Sequence, residues 1–572
     1  MIKLVKRPAF KFLAGVVVGL FISLSLALLV MPIISGDNVY DQIMKYQTIL
    51  ATVMKDYVEE VDIVKVNEGG IKGMLNELDP HSTYINAKDM VKVNEDMTGS
   101  FDGIGVSYTI VNDTILVEGV IPDGPSEKVG IQARDRIVAA DGNSLVGVPL
   151  DSVPKVLKGP KGTVINVTVV RPGQKETLDF RITRDKISTN SINASFIIQD
   201  TDIGYIKIDQ YNATTYRELV DSSKKLKEQG MKKLILDLRG NGGGRLDIAQ
   251  KVCDEFLAGD TVVYTKGRRL SNDKPFVASP GHSLETIPLI VLVDMGSASA
   301  SEITAGAIQD LDRGLVVGIT SFGKGTVQTQ MPLSDGSALR LTVATFHTAS
   351  GRCIQRPYKD REAWKRLTDR LELEEGANLE HILDKVKKEE AGKDKKDKKD
   401  DKKKKSKSDD DKSINMDSIE IFYTRAGRPV LGGGGITPDY VVKYDTSRLT
   451  DLAAQLRRQG LFQEFKEKFF EEVKKKYDND FAKFNKEFVF TDNMLKEMKK
   501  IANDKDIEWN DEQYDKDKDW INNQSKFWLA RGIWNLNTAY QITFQNDRQV
   551  KKAMELFPLA EKIHNSSKSK KK

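Results

Sequence analysis

The sequence predicts a multidomain α/β protein that contains an inserted β-rich module and ends in a helical region. Its 572 residues exceed what one hydrophobic core holds, so we expect several domains. Strand-like and helix-like segments alternate between residues 187 and 357, a pattern typical of an α/β layer with mostly parallel strands. A run of short strands precedes this layer and helical periodicity follows it, which predicts the two flanking regions.

Residues 1–35 have the features of a membrane anchor or a signal segment. Positive residues up to Lys11 precede an uncharged, apolar stretch that lasts until Asp37. About 20 apolar residues suffice to cross a bilayer, and leading positive charges stay cytoplasmic. Ile33 stands where cleavage would require a small residue, which favours an anchor over a cleaved signal. Both alternatives export the remaining chain, and we expect a single-pass inner-membrane protein with a periplasmic catalytic domain.

Three predicted parts follow this segment. Residues 36–95 have apolar residues at helical spacing. Residues 96–186 contain short runs such as "GIGVSYTIV" and "INVTVVRPG" between turn residues, which indicate a small strand-dominated module. In residues 187–357, the strand-like "KKLILDLRG" and "PLIVLVDMG" each precede a helical pattern. We interpret this last part as the main catalytic core.

The chain after residue 357 is interrupted by a charged insertion. Residues 358–413 include a run that is almost entirely Lys and Asp, which cannot bury apolar surface and is typical of disorder. Strand-like sequence resumes over 414–446 and completes the core, and 447–572 is helical. We interpret the apolar stripe of this helical region as packing. The stripe consists of Phe462, Phe465, Phe469, Val473 and Tyr477.

The composition argues against several classes of function. A net charge of +5 is small for this length, and the excess Lys lies mostly in tails and one run, so we expect no nucleic-acid partner. Cys253 and Cys353 match no metal-binding spacing. We therefore expect no metal and no cofactor.

The stretch "GSASASE", residues 296–302, follows a strand-like run and opens a helical pattern. Ser299 and Glu302 fit the capping box, so Ser299 could simply cap the helix. A serine at such a turn also lies where backbone N–H groups and the positive end of the helix dipole favour an oxyanion. These residues alone leave both interpretations open.

A lysine between two glycines lies 25 residues further on, in "GITSFGKGTVQ". Gly318, Gly323 and Lys324 nearly form a phosphate-binding loop, but Gly325 replaces the Ser or Thr that would hold magnesium, and strand-like sequence follows. The glycine run "DLRGNGGG" breaks the dinucleotide fingerprint at Arg245. Flexible backbone donors beside a nucleophile explain these glycines better.

Five motifs together resemble the C-terminal processing peptidases, also called tail-specific proteases. They are "DPHSTYI", "DLRGNGGG", "GSASASEI", "SFGKGTVQ" and "SGRCIQ", in order over residues 40–357, with 420–442 as a continuation. The resemblance implies an exported serine endopeptidase with a crotonase/ClpP-like α/β core and an inserted PDZ domain over 96–186. The charged insertion and the helical region after 447 depart from the short form of the family.

The resemblance also implies roles for the motif residues. Ser299 would be the nucleophile, Lys324 the base, and Gln328 the residue that orients the lysine. Backbone N–H groups of Ala300 and of Gly242 and Gly243 would form the oxyanion hole. A lysine acts as base only when neutral, and lowering its pKa from about 10.4 to about 7–8 requires roughly 4 kcal/mol, which burial can supply. A Ser-Lys pair is an accepted variant of the serine–histidine arrangement.

The stretch "FDGIGVSY" resembles the carboxylate-binding loop of PDZ domains. The loop residues would be Gly103, Ile104, Gly105 and Val106, with backbone N–H groups that bind a peptide C-terminus and Ile104 facing its last side chain. The sequence departs from the family at Lys158, where an arginine that communicates substrate binding is usual. A lysine keeps the charge but loses the planar fork.

The resemblance predicts protein or peptide substrates with apolar C-termini. The N-terminal segment predicts contact with the membrane, and the helical region after 447 could dimerise or bind an adaptor. A PDZ scaffold that has lost catalysis is an alternative, beside the nucleotide-binding protein considered above. The presence of Ser299, Lys324 and Gln328 argues against such a scaffold.

Overall fold

The computed structural model describes residues 38–358, 375–376, 420–444, 449–544 and 546–570. The predicted membrane segment over 1–35 and nearly all of the predicted insertion over 358–413 lie outside these ranges. No helix within them is long and apolar enough to span a membrane.

The chain divides into two compact units, residues 1–78 and 79–572. The described part of the first unit forms two helices, α1 (Val39–Asp56) and α2 (Ile63–Asn76). Each helix begins at a side-chain cap, because Asn38 accepts the N–H of Tyr40 and Asp62 accepts that of Val64. Both helices lie within residues 36–95, the range for which the sequence predicts helical structure.

The second unit begins with a short edge strand and a helix, β1 (Thr83–Ile85) and α3 (Ala87–Thr98). Helix α3 ends at Gly99, whose φ of +64° is left-handed and whose added Cβ would collide with the side chain of Asn212. This glycine therefore fixes where the chain leaves the helix.

A strand-rich module follows, with a core of its own. Ile115, Val117, Ile165 and Val167 are fully buried in that core. The main sheet has the order β3-β4-β5-β7-β8, with β6 paired to β5, and β2 pairs with β9 in a separate ribbon. The elements are β2 (Ser100–Gly103), β3 (Val106–Val111), β4 (Thr114–Val120), α4 (Pro125–Val129), β5 (Arg136–Ala140), β6 (Asn143–Ser144), α5 (Val153–Leu157), β7 (Val164–Val170), β8 (Leu178–Thr183) and β9 (Asp185–Ser188).

An α/β layer comes next. Its elements are β10 (Ile192–Ile197), β11 (Ile203–Ile208), α6 (Thr215–Glu228), β12 (Lys233–Asp237), α7 (Leu246–Asp254), β13 (Thr261–Gly267), β14 (Lys274–Val277), β15 (Leu289–Val293), α8 (Ala300–Asp310), β16 (Leu315–Gly318), β17 (Thr326–Pro332), β18 (Ala338–Thr348), β19 (Ile421–Tyr423), β20 (Pro429–Leu431) and β21 (Tyr440–Val441).

Two large sheets organise this layer, and β19 and β20 form a separate two-stranded sheet. The six-stranded sheet has the order β10-β11-β12-β15-β16-β21, and every pair after β10–β11 is parallel. The second sheet joins β1, β18, β13 and β14 in that order, with β17 also paired to β18. The carboxyl ends of β12 and β15 lead into the glycine run and the serine turn, which places both at one edge of the first sheet.

Helices cover both faces of the six-stranded sheet. Residues of α6, α7 and α8 share one buried cluster with it, and residues of the last two helices pack on its other face. The predicted stripe from Phe462 to Tyr477 is buried in a separate helical core. The C-terminal helices are α9 (Asp451–Arg458), α10 (Leu461–Tyr477), α11 (Phe481–Glu487), α12 (Asp492–Asp504), α13 (Asp511–Ile533), α14 (Leu536–Phe544), α15 (Arg548–Glu555) and α16 (Phe557–Lys570).

The predicted fold class is confirmed: an α/β core with an inserted β-rich module and a helical C-terminal region. The placement of the last helices could not be derived from their periodicity, because an apolar stripe does not show which surface it covers.

Candidate active site

Ser299 lies in the turn between β15 and α8. The strand is completely buried, and the turn leaves Ser299 with φ 56° and ψ −112°, a backbone conformation that non-glycine residues rarely adopt. Its N–H donates to the Glu302 carboxylate at 2.8 Å. This bond confirms the backward contact expected of a capping box.

The three serines of the turn have different surroundings. Ser297 Oγ donates to the carbonyl of Leu238 at 2.8 Å, and Ser301 Oγ donates to the carbonyl of Asn241 at 2.9 Å. Both side chains are buried and hold the turn against the glycine run. Ser299 instead lines an open cavity. The geometry therefore separates one accessible hydroxyl from two structural ones.

Glu302 joins the serine turn to the loop that contains Lys324. Besides the Ser299 N–H, its carboxylate accepts the N–H groups of Gly323 at 2.6 Å and Lys324 at 2.9 Å, and the hydroxyl of Ser321 at 2.5 Å. Burial raises the pKa of Glu302, and these hydrogen bonds oppose the increase. The sequence suggested only a helix cap here, because three of the four donors are more than 18 residues away.

Lys324 is only partly exposed, between β16 and β17. Burial lowers the pKa of its ammonium group, and the positive charge of Arg340 lowers it further, while Glu302 and Asp79 oppose the change. The direction of this shift favours the neutral amine. The strand that follows Gly325, over Thr326–Pro332, excludes the phosphate-binding loop, which requires a helix there.

Gln328 lies on β17, one residue after a register shift against β18. Its Nε2 donates to the hydroxyl of Thr326 at 2.8 Å and to that of Thr342 at 3.3 Å. Two acceptors therefore fix the NH₂ side of this amide.

The glycine run lies against the serine turn. Gly243 has φ +96°, and an added Cβ would lie 2.8 Å from Ser299 Cβ and 2.9 Å from the nitrogen of Ala300. Only a residue without a side chain permits this approach. The N–H of Gly243 already donates to Asn241 Oδ1 at 2.8 Å, whereas Gly242 is exposed.

A cavity of about 670 Å³ brings these groups together. Helix α3 supplies part of its wall through Val93, Asp96 and Met97. The remaining lining includes every residue predicted for the catalytic centre: Gly242, Gly243, Ser299, Ala300, Lys324 and Gln328. The sequence did not indicate Arg340 or Phe346, which also line the cavity and belong to β18.

The second predicted site, Gly103–Val106, runs from the last residue of β2 to the first residue of β3 in the strand-rich module. Gly105 has φ +77°, and its carbonyl accepts the N–H of Ile121 at 2.9 Å. The carbonyl of Ile104 accepts both the N–H and the hydroxyl of Ser126. The Ile104 side chain is only 2% exposed and packs in the module's core, so in this structure it is covered rather than presented to solvent.

Lys158, the departure from the family pattern, contacts helix α3. Its Nζ lies 2.6 Å from Glu95 Oε2 and 4.3 Å from the centre of the Phe101 ring. The lysine therefore connects the module to the helix that supplies part of the cavity wall.

Comparisons with known proteins agree with this architecture. Residues 202–360 match peptidase family S41, residues 116–171 match the PDZ domain, and residues 34–89 match the N-terminal domain of the activating protease CtpB. Residues 452–535 match a family of unknown function.

Similar curated proteins are proteases of one kind. A carboxy-terminal-processing protease of Bartonella bacilliformis is 39% identical over 59% of this chain and 79% of its own length. The carboxy-terminal processing protease CtpB of Bacillus subtilis is 33% identical over 56% of this chain and 66% of its own. Among solved structures, a photosystem II D1 C-terminal processing protease is 27% identical over 55% of this chain and 90% of that chain, with a TM-score of 0.31. The chain thus belongs to the carboxy-terminal processing proteases, serine-type endopeptidases of family S41 that contain a PDZ domain.

Proposed function

We propose that Ser299 is the nucleophile of this protease, Lys324 its general base, and Gln328 the residue that orients the lysine. One observation carries the proposal: of the three serines in the turn, Ser299 alone lines the cavity that Lys324 and Gln328 also line. Glu302 supports it further, because this one carboxylate binds the backbone N–H groups of both Ser299 and Lys324.

The chemistry proceeds by acyl transfer. Ser299 Oγ attacks the carbonyl carbon of the scissile bond while neutral Lys324 Nζ takes the hydroxyl proton. The C–N bond then breaks as this proton passes to the leaving amine, which leaves an ester on Ser299. Water, deprotonated by Lys324, attacks the ester carbonyl. The bond between the acyl carbon and Ser299 Oγ then breaks as this proton passes from Lys324 to Ser299 Oγ, which releases the new C-terminus and restores the serine. The lowered pKa of Lys324 supports this role, since only the neutral amine accepts a proton.

The oxyanion formed during attack requires backbone donors. We assign this role to the N–H groups of Gly242 and Ala300, since Ala300 begins helix α8 and Gly242 is exposed beside it. Gly243 contributes by letting the glycine run approach Ser299, because its own N–H is bonded to Asn241.

Substrate choice is proposed to reside in the PDZ domain. The carbonyls of Ile104 and Gly105 are bonded inward, to Ser126 and Ile121. The N–H groups of these two residues donate to no group in the described part of the chain. Two adjacent free donors beside an edge strand suit a peptide carboxylate, with the peptide added as a strand on β3. Gly103 and Val106 flank them, and the core around Ile104 favours an apolar last residue.

The proposed location rests on the sequence alone. Residues 1–35 would anchor the protease in the inner membrane, with the catalytic domain exported to the periplasm. Self-association or an adaptor remains a proposal for the helical region after 447.

The test compares one substrate with three ends: a free apolar terminus, the same terminus amidated, and a terminus of Asp. A charge-assisted hydrogen bond contributes roughly 1.5–3 kcal/mol, so we expect cleavage of the amidated substrate to be about ten- to a hundred-fold slower. Cleavage of the substrate that ends in Asp should also be slow, because its charged side chain does not suit an apolar pocket. The full chain with Lys324→Ala serves as the background. Equal cleavage of all three substrates would contradict the PDZ role, and cleavage by Lys324→Ala would contradict the Ser-Lys pair.

A further inference from the structure

The motif "DPHSTYI" lies beside the proposed base. The Asp79 carboxylate accepts the N–H groups of His81 and Ser82 at 2.8 Å each, and the hydroxyl of Ser82 at 2.6 Å. It also accepts the hydroxyl of Thr342 at 3.1 Å. Pairing of β1 with β18 brings this turn to its position, with the N–H of Thr342 donating to Ser82 Oγ at 3.1 Å.

Thr342 stands between Asp79 and Gln328. Its hydroxyl donates to Asp79 Oδ1, and the same oxygen accepts Gln328 Nε2 at 3.3 Å. Gln328 Nε2 gives a second hydrogen bond, of 2.8 Å, to Thr326 Oγ1. A continuous chain of hydrogen bonds therefore runs from the amide of Gln328 through Thr342 to a carboxylate.

The Asp79 carboxylate determines which group donates and which accepts in each hydrogen bond of this chain. An ionised carboxylate can only accept, and a hydroxyl has one proton, so the Thr342 proton is committed to Asp79. Burial would raise the pKa of Asp79, but the hydrogen bonds from Ser82, His81 and Thr342 outweigh it and lower the pKa below its ordinary value. The Thr342 oxygen can then only accept from Gln328, which assigns the NH₂ to this side and Oε1 to the other.

We infer that Asp79 and Thr342 are positioning residues that keep Gln328 Oε1 available as an acceptor for Lys324. The inference rests on the proposed Ser299–Lys324 pair. A neutral lysine rotates freely, and an acceptor for one of its N–H groups directs its lone pair toward the serine. Thr342 contacts Gln328 and Asp79 and not the reacting atoms, so it acts only through that amide. Asp79 acts through Thr342 on the amide and also directly on Lys324, where its charge opposes the lowering of the lysine pKa.

The test is Thr342→Val in the full chain, because valine keeps the branched shape and strand preference of threonine but has no hydroxyl. Losing one hydrogen bond predicts that kcat falls about 3- to 10-fold with KM unchanged. Thr342→Ser should restore kcat to within about twofold of the parent. Thr345→Val is the matched control on the same strand, since its hydroxyl contacts the Lys266 carbonyl and His347 instead. It should retain the parental kcat.

Coupling to Gln328 separates positioning from general stability. Gln328→Ala and the double variant with Thr342→Val should have the same kcat, because Thr342 has no role once the amide is absent. Thr342→Val removes none of the charged groups that act on Lys324, namely Arg340, Glu302 and Asp79, and it keeps His81, whose pKa Lys324 lowers. Asp79 loses one of its four hydrogen-bond donors but keeps the three from His81 and Ser82. The rising limb of the Thr342→Val pH–rate profile should therefore stay in place while the plateau falls.

Two results would overturn the inference: parental kcat in Thr342→Val, or losses that multiply in the double variant. Should Thr342→Val not fold, Thr342→Ala carries the same expectations in the same assay. Activity in Lys324→Ala would instead overturn the proposed catalytic pair. An inactive Lys324→Ala together with a fully active Thr342→Val would contradict the role of Thr342 alone.

Discussion

The catalytic cleft and the attachment of the PDZ domain are both held by carboxylates, but these carboxylates bind different kinds of partner. Glu302 in the cleft is 0% exposed and accepts four donors that are all backbone N–H or hydroxyl groups. Each donor comes from the turn or the loop that supplies a proposed catalytic residue. The Glu302 carboxylate thus holds the serine turn and the Lys324 loop in place relative to each other.

Glu118 on strand β4 of the PDZ domain meets cations instead. It lies 3.1 Å from Lys466 of α10 and 3.2 Å from Arg531 of α13, and the Arg531 side chain is 35% exposed. The hydroxyl of Thr109 also donates a hydrogen bond of 2.9 Å to the Gln463 side chain on α10. The C-terminal helices thus contact the PDZ domain through one ion pair that reaches the surface, at Arg531, and one that is buried, because the Lys466 side chain is 2% exposed and also lies 3.3 Å from Glu467.

The difference concerns rigidity. Buried donors that lose their acceptor cost about 1–3 kcal/mol each, whereas an ion pair near the surface, such as Glu118–Arg531, contributes about 0–1 kcal/mol, and the buried Lys466 keeps Glu467 as a second partner. We therefore expect the geometry of the cleft to tolerate no change. The contact between the PDZ domain and helices α10 and α13 is expected to change when a peptide binds.

The largest effect is expected at the catalytic pair. Ser299→Ala and Lys324→Ala should each lower peptide cleavage by at least about 1000-fold without unfolding the protein, because nucleophile and base act as one unit. Peptide cleavage and thermal melting measure the two properties. An active Ser299→Ala protein combined with an inactive Ser297→Ala or Ser301→Ala protein would show that the nucleophile is another serine of the turn.

Glu302→Gln tests whether this carboxylate holds the serine turn and the Lys324 loop together. Each carboxylate oxygen accepts two donors, so an amide in either orientation turns its NH₂ toward two of them. We expect kcat/KM to fall about 100-fold and the free energy of unfolding to fall by roughly 2–4 kcal/mol. Glu285→Gln is the control, because Glu285 also accepts backbone N–H groups but in an exposed turn. Equal losses in Glu302→Gln and Glu285→Gln would show that burial of the carboxylate does not determine how much it contributes.

The pH dependence should respond to Arg340. Its positive charge lowers the pKa of Lys324, so Arg340→Gln should raise that pKa and move the rising limb of the pH–rate profile to higher pH. Activity near neutrality would fall several-fold while the alkaline plateau stays unchanged. Arg340→Lys keeps the charge and should keep the limb in place. A limb that moves to lower pH in Arg340→Gln would refute the lysine as the titrating base.

The smallest effect is expected at the contact between the PDZ domain and helices α10 and α13. Glu118→Gln weakens the attraction to Lys466 and Arg531 but leaves the cleft untouched. We expect a change of less than about fivefold in cleavage of a substrate with a free apolar terminus. No change is expected in the reaction of Ser299 with a small serine-directed reagent. A large decrease in the rate at which Ser299 reacts with this reagent would mean that the contact between the PDZ domain and the C-terminal helices controls the catalytic geometry directly.

The fold class and the members of the cleft could be predicted because their signals are local. The turn around Ser299 and the glycines around Lys324 each lie within a few residues of chain. The supporting contacts could not be predicted in this way. Asp79 and Thr342 are 263 residues apart, and only the pairing of β1 with β18 brings them together.

Two further features depended on tertiary packing. Glu302 fits a local capping box, which hides its contacts with the Lys324 loop. Ile104 was expected to face a ligand, but the core of the PDZ domain covers its side chain in this structure. An apolar residue in a loop has no periodicity from which its direction could be inferred.

The most direct measurement of the central claim is covalent labelling of the full chain with a phosphonylating serine reagent, followed by peptide mapping. The Ser299–Lys324 pair predicts modification at Ser299 alone. Labelling should disappear in Lys324→Ala and persist in His81→Ala, because no histidine acts as the base. Labelling at Ser297 or Ser301, or labelling of Ser299 that survives Lys324→Ala, would contradict the account.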